Sequence, residues 1–334
     1  MRIVNTDKVA VSGAGIAGLC AAILLLGKDF DITVYEESLH LRKDGGCIQI
    51  PSSFIKYFDV LGVKTEFLTK AIDCGYILSN HRELLFMDNI KALDNIKSFI
   101  NQRIYSISRR DLYDILLNKV NQLNSNCINT SASIERFVET DKNISLYFKN
   151  SEQIECDFII GADGVRSNIR KSLTDTCVIK NPNIGFGYVN IKLASDYDLS
   201  LYMRPYLYSS NSNWLYSLPM FLNKDLYITI FVILKNKDFG SYDIGNKGNL
   251  DDLIGGFKDL DYPVRNLLEN VSGNYYCYNF LEEKIIKSKV SARSLLIGDA
   301  AKSYVNFIGF GTAMAIKNTI ETIQQQLLLN NLKS

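Results

Sequence analysis

The chain has 334 residues, of which 47% are hydrophobic and 22% charged, with a formal net charge of +1. That is enough apolar material for one large domain or two interleaved ones, and the absence of a basic block speaks against nucleic acid and anionic membranes as partners. Two histidines, His40 and His81, and seven cysteines scattered without a C-x-x-C pair argue against a zinc centre or a Ser-His-Asp hydrolase.

The dispersed thiols suit a reduced, cytoplasmic protein. Residues 9–27 carry no charge between Lys8 and Lys28, close to the minimum length of a bilayer crossing. The glycines inside this run recur at a spacing that has its own mechanism, so no transmembrane segment is expected. "KVAVSG" predicts a buried strand, "AGLCAAILLLGK" an apolar helix with Gly27 near its end, and "DITVYEE" a second strand. Together they form a βαβ unit, which implies a parallel sheet.

Ser108 and Asp111 predict a helix start with capping-box spacing, and Leu112, Ile115, Leu116, Val120 and Leu123 mark one face of that helix. Three alternating stretches at 132–139, 143–149 and 153–160 predict an antiparallel meander. From 184 to 235, aromatic-rich strands predict a second antiparallel sheet whose loops could roof a pocket, and 241–262 a polar surface connection. A buried strand follows at 294–298, and Ala313, Ile316, Ile320, Ile323 and Leu327 give a last helix its apolar stripe.

The chemistry concentrates at three strand ends. "GAGIAG" at 13–18 has the G-x-G-x-x-G spacing. Gly13 permits a tight turn, Gly15 lets a pyrophosphate approach the backbone, and Gly18 lets helix and strand pack closely; the helix N-terminus presents unpaired N–H groups to phosphate. Glu36 ends the next strand, at the distance where a carboxylate accepts from an adenosine ribose. "IIGADGVRSNIR" at 159–170 carries Asp163-Gly164 into a turn, with Arg166 and Arg170 as expected surface charges. "LLIGDAAKSYVNFIGFGTAMAI" at 295–316 places Asp299 at the third strand end, with Gly309 and Gly311 before a helix. Such sheets bind ligands beyond the carboxyl ends of their strands, so three acid-bearing ends suggest one elongated ligand.

With these motifs in order at 13–18, 36, 109, 161–170 and 298–311, the sequence resembles the FAD-dependent monooxygenases of the para-hydroxybenzoate hydroxylase type. The resemblance implies an α/β fold with a Rossmann-like, discontinuous FAD-binding domain (1–70, 100–180 and 280–334) and an interleaved antiparallel-sheet substrate domain (71–99 and 181–279). Carried over position by position, Gly13, Gly15, Ala17 and Gly18 would line the FAD pyrophosphate and Glu36 would hold the adenosine ribose. Arg42 matches an arginine close to the flavin and the incoming nicotinamide nucleotide, and Arg109, in "SISRRDL", one that holds FAD. Asp163-Gly164 resembles the family's second fingerprint, and Asp299 would hydrogen-bond the ribityl chain. Gly309, Gly311 and Thr312 would set backbone N–H groups against the pyrimidine edge of the ring, where charge collects on reduction. Tyr188, Trp214, Tyr216 and Phe307 fall where the resemblance puts the substrate pocket, although ordinary sheet packing explains each as well.

The implied chemistry is reduction of FAD by transiently docked NADPH or NADH, addition of O2 to give a flavin C4a-hydroperoxide, and oxygen transfer to an aromatic or other apolar small molecule. No residue stands out as an acid–base catalyst. The departures lie beside the ring: Lys302 replaces a usual histidine, Asn306 a proline and Phe310 a glutamine, with "IKN" at 316–318 and Glu37 also unusual. They motivate the alternative of a FAD-binding protein without monooxygenase activity. A further alternative comes from "WLYSLP" at 214–219, which echoes the W-x-W-x-I-P of flavin-dependent halogenases and the corresponding region of prenyl reductases, with Lys70 as the channel lysine.

Overall fold

The computed structural model describes residues 7–41, 45–76, 78–79, 102–193, 203, 206–210, 213–235, 237, 257, 264–269, 276–288, 291–301 and 310–331. Arg42, Phe307 and Gly309, with Lys302, Asn306 and all of the 241–262 connection except Phe257, lie outside the described residues.

Strand β1 (Lys8–Ser12) runs into helix α1 (Ile16–Leu26) and returns as β2 (Asp31–Tyr35), parallel to β1. Eight of the eleven residues of α1 are buried, which explains why the segment is charge-free without being a membrane span. Among the described residues no helix is long and apolar enough to cross a membrane. A three-stranded antiparallel sheet follows: β3 (Cys47–Pro51) and β4 (Ile72–Tyr76) flank β6 (Arg103–Ser108), while the short β5 (Leu78–Ser79) joins another sheet. Helices α2 (Ile55–Val60) and α3 (Lys64–Lys70) connect β3 to β4.

Helix α4 (Arg109–Leu123) starts where the capping spacing predicts: Ser108 Oγ accepts from the Asp111 N–H at 3.0 Å. Leu112, Ile115, Leu116 and Val120 are buried as expected, whereas Leu123, the last residue of the helix, is exposed. After β7 (Ile128–Asn129), strands β8 (Ile134–Glu139), β9 (Ile144–Phe148) and β10 (Gln153–Cys156) form the meander. The stretch 153–160 is not one strand. It breaks at Asp157, whose N–H donates to the Lys8 carbonyl at 2.9 Å while its carboxylate accepts from the Lys8 N–H at 2.8 Å. Strand β11 (Phe158–Gly161) therefore leaves the meander and pairs in parallel with β1.

Helix α5 (Asn168–Leu173) leads into β12 (Thr174–Lys192), which with β13 (Tyr206–Ser210), β14 (Asn213–Leu222), β15 (Asp225–Lys235) and β16 (Tyr276–Ser288) builds a six-stranded sheet of order β16-β12-β15-β14-β13-β5. Pro219 sits within β14, beyond the reach of β13, which pairs only with residues 213–217; there its carbonyl accepts from Ser106 Oγ of β6 and Cys47 Sγ of β3, so the proline costs no ladder bond. One face of this sheet carries Val189, Leu215, Ile230 and Val232 against helix α6 (Val264–Glu269). The other carries Phe186, Tyr188, Tyr216, Leu218 and Phe231, in one continuous core with α1, β3 and α4. Strand β17 (Ser294–Leu296) completes the parallel sheet β17-β11-β1-β2-β7. The short helix α7 (Gly298–Ala301) follows, and α8 (Gly311–Asn331) then packs Ala313, Ile316, Ile320 and Ile323 into the core, with Leu327 half-buried.

Candidate cofactor site

The three sequence motifs meet at the carboxyl end of the parallel sheet. Gly13 has φ +101°, and a Cβ there would lie 2.7 Å from the Ala162 carbonyl oxygen, so the first glycine turn rests directly on the strand that carries Asp163. A Cβ on Gly18 would overlap the Gly13 carbonyl. Gly15 differs: a side chain added there would meet nothing within 4 Å. Helix α1 has no side-chain cap and no acid in its first turn. Its orphan N–H groups therefore face open space beside Gly15, the arrangement that receives a phosphate.

Glu36 holds this turn from the side. Its carboxylate accepts from the Ala14 N–H at 2.9 Å and the Ser38 N–H at 3.0 Å. An ionised carboxylate offers about four lone-pair sites, leaving capacity for ribose hydroxyls. Tyr113, unmarked by the sequence motifs, donates its buried hydroxyl to the Ala14 carbonyl at 2.9 Å. Burial, and then the nearby Glu36 charge, push its phenol pKa up, so it remains a neutral donor. Arg109 lies one helical turn before Tyr113, hence on the same face of α4. Its N–H donates to the Gly46 carbonyl at 3.1 Å, and a Cβ on Gly45, at φ +149°, would overlap the Arg109 Cδ. Gly45 thus lets the backbone lie along the arginine stem, while Gly46 does the same beside Thr229 and Tyr188.

Asp163 turns its carboxylate into the chain. It accepts from Ser167 Oγ at 2.5 Å and from the N–H groups of Asn168 at 2.7 Å and Ile169 at 3.2 Å, so it caps α5 and fixes the Gly164 turn (φ +76°). Arg170 is not a surface charge. It is 1% exposed, and its guanidinium donates to the carbonyl oxygens of Ala300 at 2.8 Å, Asp299 at 3.3 Å and Val165. Those carbonyls, left over at a turn and at the end of α7, are what draw the charge inward. Arg166 is exposed, as expected.

The third motif closes on the first. Gly298 has φ +55°, and a Cβ there would stand 2.6 Å from that of Ala17, which places the small residue of α1 against the Gly298-Asp299 turn. Asp299 is exposed in the first turn of α7, Gly311 is buried and Thr312 half-buried at the start of α8. Tyr188, Trp214 and Tyr216 share the sheet face turned toward this site: Tyr188 and Tyr216 are buried, and Trp214 is half-buried. Lys70, the lysine of the halogenase alternative, is an exposed side chain paired with Asp111 at 2.8 Å.

A glycine turn without a cap, a strand-end carboxylate and two further acid-bearing turns in contact define a dinucleotide-binding flavoprotein, and the residues present fit FAD. The chain belongs to the family described as FAD binding domain, which matches residues 6–239, and it is an FAD-dependent oxidoreductase of the monooxygenase class. It is 24% identical over 335 residues to the FAD-dependent monooxygenase ntnJ of Nectria sp., covering 96% of this chain and 77% of that one. Hispidin-3-hydroxylase of Neonothopanus nambi is 23% identical over 340 residues, 95% of this chain and 79% of its own. Among solved structures, Klebsiella pneumoniae HpxO complexed with FAD and uric acid shares the fold, with a TM-score of 0.73, 19% identity and coverage of 94% of this chain and 78% of that one.

Proposed function

We propose that the protein hydroxylates a flat aromatic or other apolar small molecule, taking electrons from NADPH or NADH and one oxygen atom from O2. The observation that carries this reading is the aromatic face of the six-stranded sheet, with Tyr188, Trp214, Tyr216, Phe186 and Phe231, set toward the three converging turns. The relatives agree with it: one is a hydroxylase, and the structural relative holds uric acid, a flat heterocycle, together with FAD.

In this reading the N-terminus of α1, with Gly13, Gly15, Ala17 and Gly18, receives the pyrophosphate and Glu36 the ribose. Arg109 steadies the dinucleotide, Asp299 the ribityl hydroxyls, and Gly311 and Thr312 the pyrimidine edge. Asp163 and Gly164 act through the shape of their turn, since the carboxylate caps α5. Arg42, Gly309 and Phe307 keep the roles given by resemblance. Bound FAD supplies the redox and oxygen-transfer chemistry; the chain orients the partners and excludes water. Tyr216 takes no part as a base, because complete burial pushes its phenol far above the ordinary tyrosine range and its hydroxyl donates to Gln49 Oε1 at 2.5 Å. The division into a discontinuous cofactor domain and a substrate domain belongs to the same proposal, as does a cytoplasmic setting, consistent with the six described cysteines being buried free thiols.

The test is anaerobic addition of NADPH or NADH to the purified protein. The visible flavin band should bleach, faster once a substrate is present. A folded protein that is colourless and takes up no FAD overturns the reading; bound FAD that neither nicotinamide reduces would point instead to a flavin-binding protein without monooxygenase activity.

A further inference from the structure

Strand β3 pairs with β6 on one side only, so the N–H groups of its other edge need acceptors elsewhere. Cys47 stands opposite Ser108, and the bond beside that pair runs from the Arg109 N–H to the Gly46 carbonyl at 3.1 Å. In such a pair the Cys47 N–H points away from β6. It donates to Thr229 Oγ1 of the six-stranded sheet at 3.2 Å, in a buried position. The Cys47 thiol adds a weaker contact of 3.5 Å to the Pro219 carbonyl.

Thr229 is a fixed post for this bond. Its strand, β15, is paired on both sides, and the residue lies fully buried opposite Asn190 of β12 and Leu218 of β14. Its hydroxyl has one hydrogen, and Asn190 Oδ1 takes it at 2.7 Å, nearer than the Met220 sulfur at 3.6 Å. The oxygen lone pairs are left for Cys47. The methyl group of the same side chain bounds the preceding residue, since a Cβ on Gly46 would lie 3.1 Å from Thr229 Cγ2. One residue earlier, a Cβ on Gly45 would overlap Arg109 Cδ. Residues 45–47 are thus clamped between Thr229 and the stem of Arg109.

We propose that Thr229 is a positioning residue for the cofactor: through Cys47 and Gly46 it fixes the backbone along which Arg109 lies, and so presets that arginine for FAD. The proposal rests on the role given to Arg109 above. Valine would fill the same space, but it would leave the buried Cys47 N–H without its acceptor.

The test is a fluorescence titration with FAD of the purified full chain, stripped of bound flavin. Thr229→Val should weaken FAD binding by about tenfold, the weight of one hydrogen bond to a buried donor. Thr229→Ser keeps the hydroxyl and should bind FAD within about twofold of wild type. Arg109→Met should weaken binding by itself, and adding Thr229→Val to it should cost less than about a further twofold, because the two residues act through one contact. A merely structural threonine would instead give the same loss in both backgrounds. Asn190→Ala removes the acceptor that orients the hydroxyl, should cost about threefold, and replaces Thr229→Val in the cycle if that variant does not fold. Wild-type affinity in Thr229→Val or in its replacement, equal losses with and without Arg109, or no rescue by serine overturns the proposal. A wild type that takes up no FAD, or an Arg109→Met variant that binds it unchanged, overturns the cofactor reading itself and the proposal with it; that failure shows before Thr229 is altered.

Discussion

Arg170 reaches 130 positions along the chain to donate to the Ala300 carbonyl at 2.8 Å, and with the same guanidinium it grips Val165 beside the Asp163-Gly164 turn. Two of the three turns of the site are thus held by one buried cation. Arg170→Met should cost about 2–4 kcal/mol, because it strands carbonyls that only a planar fork satisfies together. Arg170→Lys should recover only part of the loss. Urea unfolding of the FAD-free protein measures both; equal stability of wild type and Arg170→Met would show the link to be idle.

Two glycines of the first turn, Gly15 and Gly18, should respond differently to alanine. Gly18→Ala places a Cβ on the Gly13 carbonyl and should destabilise by about 2–3 kcal/mol or more. Gly15→Ala has room, so the FAD-free protein should melt as wild type does, while FAD affinity falls about tenfold or more as the methyl enters the space expected for pyrophosphate. Thermal melts paired with flavin fluorescence titrations separate these outcomes. Loss of stability in Gly15→Ala would contradict the account.

Glu36 ties Ala14 to Ser38, so its removal should be felt with and without cofactor. Glu36→Ala should lower stability by about 1–2 kcal/mol, since two backbone donors lose a charged acceptor. Glu36→Gln retains one acceptor oxygen and should lose less stability, yet still weaken FAD binding. A titration in which both variants bind FAD as tightly as wild type would remove Glu36 from the ribose site.

Buried thiols give the protein an alkaline limit. Burial pushes Cys20, Cys74 and Cys156 up from 9.0 to about 12. Above pH 9 the unfolded chain releases thiol protons that the folded chain keeps, so the unfolded state binds fewer protons and stability falls as pH rises toward about 12. Each thiol adds up to about 1.4 kcal/mol per pH unit to that slope. Urea midpoints measured from pH 8 to pH 11 should decline, and Cys20→Ala should flatten the decline. A slope that does not change in the variant would show that Cys20 ionises equally in both states.

Much of the cofactor turn was legible in the sequence because its chemistry is local. A tight turn needs glycine at Gly13, a helix start needs Ser108 with Asp111, and an amphipathic helix repeats Ala313, Ile316 and Ile320 every three or four residues. What could not be read depends on distant partners. Cys47–Pro51 is buried along its whole length, so no alternation marks it as a strand, and the polar Gln49 within it disguises its burial. The break at Asp157 is invisible in an apolar, alternating stretch, because it depends on Lys8 of the neighbouring strand β1, 149 positions earlier in the chain. Arg170 looks like any surface charge until the carbonyls of Asp299 and Ala300 arrive beside it. Tyr113 could have been suspected, since it lies four residues after Arg109 on a face otherwise made of aliphatic side chains.

The parallel sheet draws its strands from residues 8, 31, 128, 158 and 294 onward, and the last of these sits at its edge beside β11. During synthesis the flank of β11 must wait, unpaired, while more than a hundred further residues emerge from the ribosome. Only then can Gly298 close on Ala17. On the proposed reading, a flavin that needs all three turns is not held until β17 has paired, and a nascent polypeptide halted before β17 would expose the edge of β11 instead.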